Sequence, residues 1–175
     1  MLDAAVMVDL PRTGNVSFDD VVRERQPQVL RTAYRITGNW ATAEDIAQEA
    51  FVRLHRRGLA FPTPAALGSW LYRVTVNLCL DQTRAARPAE ELGDVQTDSA
   101  SAEALIIRRQ EQERVMAALE HLPRKERAAI VLREIEGLST AEVAEILGST
   151  EGTVRSQVAK ALTRLRTILS EQEER

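Results

Sequence analysis

Thirty residues near the C-terminus, Gly137–Arg166 (GLSTAEVAEILGSTEGTVRSQVAKALTRLR), leave room for little except two helices and a tight turn. Ser139 is placed to cap the first helix, with Glu142 three residues on completing a capping box, and Val143, Ala144, Ile146 and Leu147 form its apolar stripe. Gly148 ends it, and Ser149 or Thr150 caps the second helix. There Val154, Val158, Ala161, Leu162, Leu165 and Leu169 recur at offsets of three or four, opposite a polar face of Arg155, Ser156, Gln157 and Lys160. Two helices joined by a short glycine turn, the second with a cationic polar face, are the arrangement that lays a reading helix in the DNA major groove. Between Thr150 and Arg166 four cations (Arg155, Lys160, Arg164, Arg166) stand against Glu151 alone, whereas a solvated helix mixes its signs.

The rest of the 175-residue chain is read as all-α as well. Aromatics make up 4% of it, and valine, isoleucine and threonine never alternate over a strand's length. A single cysteine, Cys79, excludes an internal disulfide, and no apolar run is long enough to cross a bilayer, so a cytoplasmic protein without membrane insertion is expected. The net charge of −3 argues against bulk attraction to nucleic acid, but the charge is unevenly spread. Residues 53–87 carry six arginines against Asp81, and residues 88–104 carry five acids and no base.

Residues 1–16 show no sustained period and are read as a disordered extension. Ser17, with Asp20 at the capping-box position, opens a helix that Pro27 should kink or split and Gly38 should end. Thr42 with Asp45 repeats the capping signal for a helix through Arg57, buried on Ile46, Ala47, Ala50, Phe51 and Leu54 and polar at Asp45, Gln48, Glu49 and Arg53. After a proline-containing loop, a long helix runs to about Arg87, lined on one face by Leu67, Leu71, Val74 and Leu78. A second stripe on it, Trp70, Arg73, Asn77, Asp81 and Arg84, is unusually rich in groups that contact nucleic acid. The acidic stretch 88–104 is a flexible, self-repelling linker. Four helices follow over residues 105–170, the first with Ile107, Val115, Ala118 and Leu119 inward and the next (Arg124–Glu136) burying Ala128, Val131, Leu132 and Ile135, before a polar tail at 171–175.

The segments AEDIAQEAFVRLHRR, WLYRVTVNLCLDQTR, LPRKERAAIVLREIEGLSTAEVAEIL and GTVRSQVAKALTRLR, in this order around an acidic linker, resemble the extracytoplasmic-function (ECF) group of sigma-70 family factors from about Ser17 to Leu169. The resemblance implies two small helical domains, a sigma2-like bundle over 17–87 and a sigma4-like helix-turn-helix over 105–170, in a factor that joins RNA polymerase core and directs it to promoter DNA. It implies that Asp45, Gln48, Glu49 and Phe51 dock on the clamp coiled coil of the polymerase, and that the second domain lies toward the flap. It implies that Arg73, Asn77, Asp81 and Arg84 recognise and melt the −10 element, Asn77 helping to hold a flipped base. Thr153, Arg155, Ser156, Gln157, Lys160 and Arg164 are then the candidates for reading the −35 element. An anti-sigma partner is implied too.

The chemistry of the residues agrees. Asn77 carries both donors and acceptors for an unstacked base edge, and Gln157 has the geometry to read adenine bidentately. Many members carry arginine and a larger residue where this chain has Gln157 and Ala159, so the −35 preference is not transferable. Trp70 and Phe51 also fit core packing, Asp81 and Arg84 also fit a surface ion pair, and Cys79 between apolar neighbours fits a buried hydrophobe. The alternative is a helix-turn-helix regulator of LuxR type, which leaves Ala43–Arg84 without a role. His55, His121 and Cys79 make no metal pattern and no nucleotide or nucleophile motif is present, so no cofactor, metal or catalytic residue is expected.

Overall fold

The computed structural model describes residues 17–82 and 102–173, with side chains from residue 110 to 172 in the second stretch. Three helices form an N-terminal unit: α1 (Phe18–Thr37), α2 (Trp40–Arg57) and α3 (Pro64–Asp81). Four form a C-terminal unit: α4 (Ala102–Glu120), α5 (Arg124–Ile130), α6 (Thr140–Leu147) and α7 (Glu151–Glu173), with a π-helical turn, Val131–Ile135, following α5. No strand occurs among the described residues. The expected 1–16 extension, residues 88–101 of the linker, and Arg84 lie outside them.

Local chemistry sets each start. Ser17 Oγ accepts from Asp20 N at 3.1 Å and the Asp20 carboxylate accepts from Ser17 N in return, closing the expected box. α2 starts two residues earlier than Thr42, because Asn39 is its cap: Asn39 Oδ1 accepts from Thr42 N at 2.8 Å. Thr63 caps α3, whose first residue is Pro64, a position where a missing N–H costs nothing.

Pro27 does not split α1, which is one helix from Phe18 to Thr37. Pro27 and Arg23 are both exposed, so the missing hydrogen bond falls on the solvent side of the helix, while Val21, Val29, Ala33 and Ile36 stay buried on either side of the proline. α4 begins at Ala102, inside the stretch read as linker, and α7 continues into the expected tail.

Three positions expected on apolar faces lie outside the core. Val115 on α4 is 40% exposed, its turn being covered less than the Ala118 and Leu119 turn. Ile135 is also 40% exposed, because the π turn places fewer degrees between successive residues than an α turn and takes Ile135 off the Ala128 and Leu132 stripe. Leu162 on α7 likewise faces partly outward.

The buried residues fall into two clusters. One, built on Val21, Ala47, Ala50, Phe51, Leu54, Phe61 and Leu71, belongs to the N-terminal unit alone. The other is shared: Ala33, Ile36, Ile46, Val76 and Cys79 of the first unit pack with Leu119, Ala129, Ile130, Leu132, Val143 and Val154 of the second. The second cluster therefore runs across both units.

Candidate nucleic-acid and polymerase interface

The helix-turn-helix is built as its sequence dictates. Ser139 and Glu142 exchange hydrogen bonds, Ser139 N donating to Glu142 Oε2 at 2.8 Å and Glu142 N to Ser139 Oγ at 3.2 Å. Those bonds hold the exposed Glu142 carboxyl below its ordinary range. Gly148 takes φ 58° at the end of α6, and Thr150 rather than Ser149 caps α7, its Oγ1 accepting from Thr153 N at 3.2 Å. The turn is thus Gly148, Ser149 and Thr150, short enough to fix α7 across α6.

On α7, Val154, Val158 and Ala161 are buried against the unit while Thr153, Arg155, Ser156 and Lys160 point to solvent along the N-terminal half. Arg155 Nη1 lies 3.2 Å from Glu151 Oε2, an exposed i,i+4 pair of the kind that contributes little to stability. Lys160 is exposed. Two of the six expected readers are placed differently. Arg164 reaches back across the unit, with Nη1 3.2 Å from Glu126 Oε2 on α5, and Gln157 is half-buried with Oε1 out of water and unpartnered. Gln157 therefore sits at the edge of the reading face.

On α3, Arg73, Asn77 and Asp81 follow one another at four-residue steps and are all exposed. Arg73 pairs with Glu145 of α6 at 2.7 Å. Trp70 is half-buried, edge-on to Phe61 at 5.8 Å, with the Arg57 guanidinium stacked 3.9 Å over the Phe61 ring, so it serves as the wall of the Leu59–Leu67 loop.

On α2, Asp45 and Gln48 are exposed, and Glu49 is held by Arg53 Nε at 2.7 Å. Phe51 does not belong to this surface: it is 8% exposed and packs in the N-terminal cluster, since three residues past Gln48 the helix has turned it onto the Ala47 and Leu54 face. Val52 takes the outer position instead and is 41% exposed. Its spacing four residues after Gln48 was the available signal, masked by its apolar character. Cys79 is buried, and burial pushes its thiol up to about 12. No group of three or more metal-ligating side chains occurs among the described residues, and no helix there is long and apolar enough to cross a membrane.

Comparison with known proteins places both units. Residues 21–88 match the family described as Sigma-70 region 2 and residues 112–165 match Sigma-70, region 4. The chain is 36% identical over 172 residues to the ECF RNA polymerase sigma factor SigM of Mycobacterium tuberculosis, covering 95% of this chain and 84% of that protein. It is 37% identical over 161 residues to the ECF RNA polymerase sigma factor SigE of Mycolicibacterium smegmatis, of whose length it spans 62%. Among solved structures, the sigma factor RpoE of Bartonella quintana, crystallised with the anti-sigma factor NepR, superposes with a TM-score of 0.68 over 87% of this chain and 96% of that one, at 21% identity, a likeness of fold.

Proposed function

The chain belongs to the extracytoplasmic-function group of the sigma-70 family, and on that premise we propose that it joins core RNA polymerase in the cytoplasm and directs it to promoters. It docks on the clamp coiled coil through the outer face of α2, with Asp45, Gln48, Glu49 and Val52 as the contact. α3 recognises and melts the −10 element, and the N-terminal half of α7 reads the −35 element in the major groove.

One observation carries this reading: a single chain holds both a helix-turn-helix with Thr153, Arg155, Ser156 and Lys160 exposed on its second helix and, upstream, a separate helix whose exposed stripe is Arg73, Asn77 and Asp81. A duplex reader needs only the first. Arg155 supplies a fork for a base edge or phosphate, Lys160 a point charge for phosphate, and the N-terminus of α7 adds partial positive charge. Asn77 offers an amide with donors and acceptors to a flipped base, whose unstacking costs a few kcal/mol that a pocket offsets. An anti-sigma partner restrains the factor by covering surfaces that face the polymerase. The regulator of LuxR type explains the second unit alone, whereas the family match covers both.

A pull-down of core polymerase with the purified chain tests the proposal. Stoichiometric binding to core, lost on Asp45→Lys, is the expected result. Tight binding to duplex DNA with none to core would overturn it.

A further inference from the structure

Two arginines of α7 each hold a carboxylate, and the two carboxylates differ. Arg155 pairs with Glu151 one turn back on the same helix, and both side chains are more than half exposed. Arg164 crosses to another element: its Nη1 lies 3.2 Å from Oε2 of Glu126 in the first turn of α5, and the Glu126 side chain is only 13% exposed. Glu126 Oε2 is out of water, and no hydrogen-bond donor is aligned on it among the described residues, so the charge of Arg164 is what compensates it. Removing Arg155 leaves Glu151 in water. Removing Arg164 leaves a carboxylate oxygen buried and uncompensated.

The place of this pair along α7 gives it leverage. The helix is fixed at its start by the Gly148–Thr150 turn, where Thr150 Oγ1 accepts from Thr153 N. Arg164 lies 14 residues beyond Thr150, ~21 Å along the axis at 1.5 Å per residue. Between the two points α7 is held by Val154, Val158 and Ala161, small apolar side chains whose burial is favourable without being directional. A helix fixed at one end pivots, and a second fixed point far from the first sets its angle. A sideways shift of about 1 Å at Arg164 becomes ~0.7 Å at Lys160, more than the ~0.5 Å within which a binding group must be held.

We propose that Arg164 is a positioning residue: its pairing with Glu126 sets the angle of α7 to α5, and through it the placement of Arg155 and Lys160 on the −35 duplex, while Arg164 itself touches no phosphate. Its charge alone puts it among the readers of DNA, and its partner takes it out of them. The inference rests on α7 as the −35 reader, but the pairing is also tested in the free chain.

Wild type, Arg164→Ala, Glu126→Ala and the double variant are compared in two ways. The free chains are unfolded in urea, and the chains joined to core polymerase are bound, at several salt concentrations, to a promoter found by run-off transcription and to the same promoter with its upstream element scrambled. Each single substitution is expected to cut the preference for the intact upstream element about tenfold, and the double variant no further, because all three lose the same brace. The effect of Glu126→Ala is the telling one, since removing an anion otherwise favours DNA. The salt slope is expected to match wild type in every variant. In the free chain Arg164→Ala is expected to lower the urea midpoint, and adding Glu126→Ala to restore most of it, since the stranded charge is then gone. A salt slope lowered by about 1 in Arg164→Ala would make it a phosphate contact and overturn the proposal. So would a wild-type preference in Glu126→Ala, or a midpoint in Arg164→Ala that Glu126→Ala does not relieve. A wild-type holoenzyme indifferent to the upstream element, with the midpoints as expected, would instead overturn α7 as the −35 reader, and the positioning role with it, while the pairing stood.

Discussion

Gly38 and Glu120 meet across the junction of the two units: a Cβ on Gly38 would stand 2.9 Å from Glu120 Oε1 and 3.2 Å from Arg127 Nη2. Gly38 ends α1 at φ +74°, a left-handed conformation that a side chain resists. Of the two costs the backbone one is larger, because the Glu120 carboxylate is the far end of an exposed, flexible side chain. Gly38→Ala is expected to lower unfolding stability by about 1–2 kcal/mol, measured by urea titration. An unchanged midpoint would mean that the α1 terminus relaxes freely.

The capping box of α6 predicts an acid-sensitive stability. The hydrogen bonds from Ser139 depress the Glu142 carboxyl in the folded chain, so its contribution is complete above its unfolded value and lost as pH falls through the folded one. A melting-temperature series from pH 7 to 3 is expected to show a shallower acid decline for Glu142→Gln than for wild type. Ser139→Ala is expected to cost about 1 kcal/mol at neutral pH. Parallel acid limbs for wild type and Glu142→Gln would contradict the box.

Arg155 and Lys160 lie on one exposed face but predict different losses. Lys160→Ala is expected to weaken binding to all duplexes alike and to reduce the salt slope by about 1. Arg155→Ala is expected to cost about 1–3 kcal/mol on the cognate −35 sequence and to relax sequence choice. Fluorescence anisotropy at several salt concentrations separates them. Identical effects on cognate and scrambled duplexes would remove Arg155 from base reading.

On α2, neighbouring residues divide between surface and core. Phe51→Ala is expected to destabilise the chain by about 3–5 kcal/mol, since it empties a packed site in the N-terminal cluster. Asp45→Lys and Gln48→Ala leave stability within about 0.5 kcal/mol and weaken binding to core polymerase. Thermal unfolding together with a core-binding titration checks both. Core affinity lost in Phe51→Ala at wild-type stability would restore Phe51 to the contact surface.

Much of this was legible in the chain because helix starts and stops are local chemistry. Ser17 with Asp20, Ser139 with Glu142, and the glycines at 38 and 148 each solve a problem of unpaired backbone groups within four residues. Asn39 caps α2 where Thr42 and Asp45 imitate the same signal three residues later. The π turn is not legible in a periodicity of 3.6 residues per turn, which puts Ile135 on the buried stripe that it in fact leaves. Least legible was the contact between the two units. Thr32, Arg35, Tyr72 and Glu136 are spread over more than 100 positions, and nothing in their separate surroundings announces that they converge. The exposed stripes on α3 and α7 followed from spacing, while the pairing of Arg164 with Glu126 and the half-burial of Gln157 needed the tertiary packing.

Run-off transcription with core polymerase on a library of random promoters is the most direct test of the function proposed. Transcripts are expected to start from a selected subset that shares two elements at fixed spacing, to vanish with Asn77→Ala although core binding persists, and to lose the upstream preference with Arg155→Ala. Transcription no greater than that of core alone, or a selected set sharing only one duplex element, would contradict it.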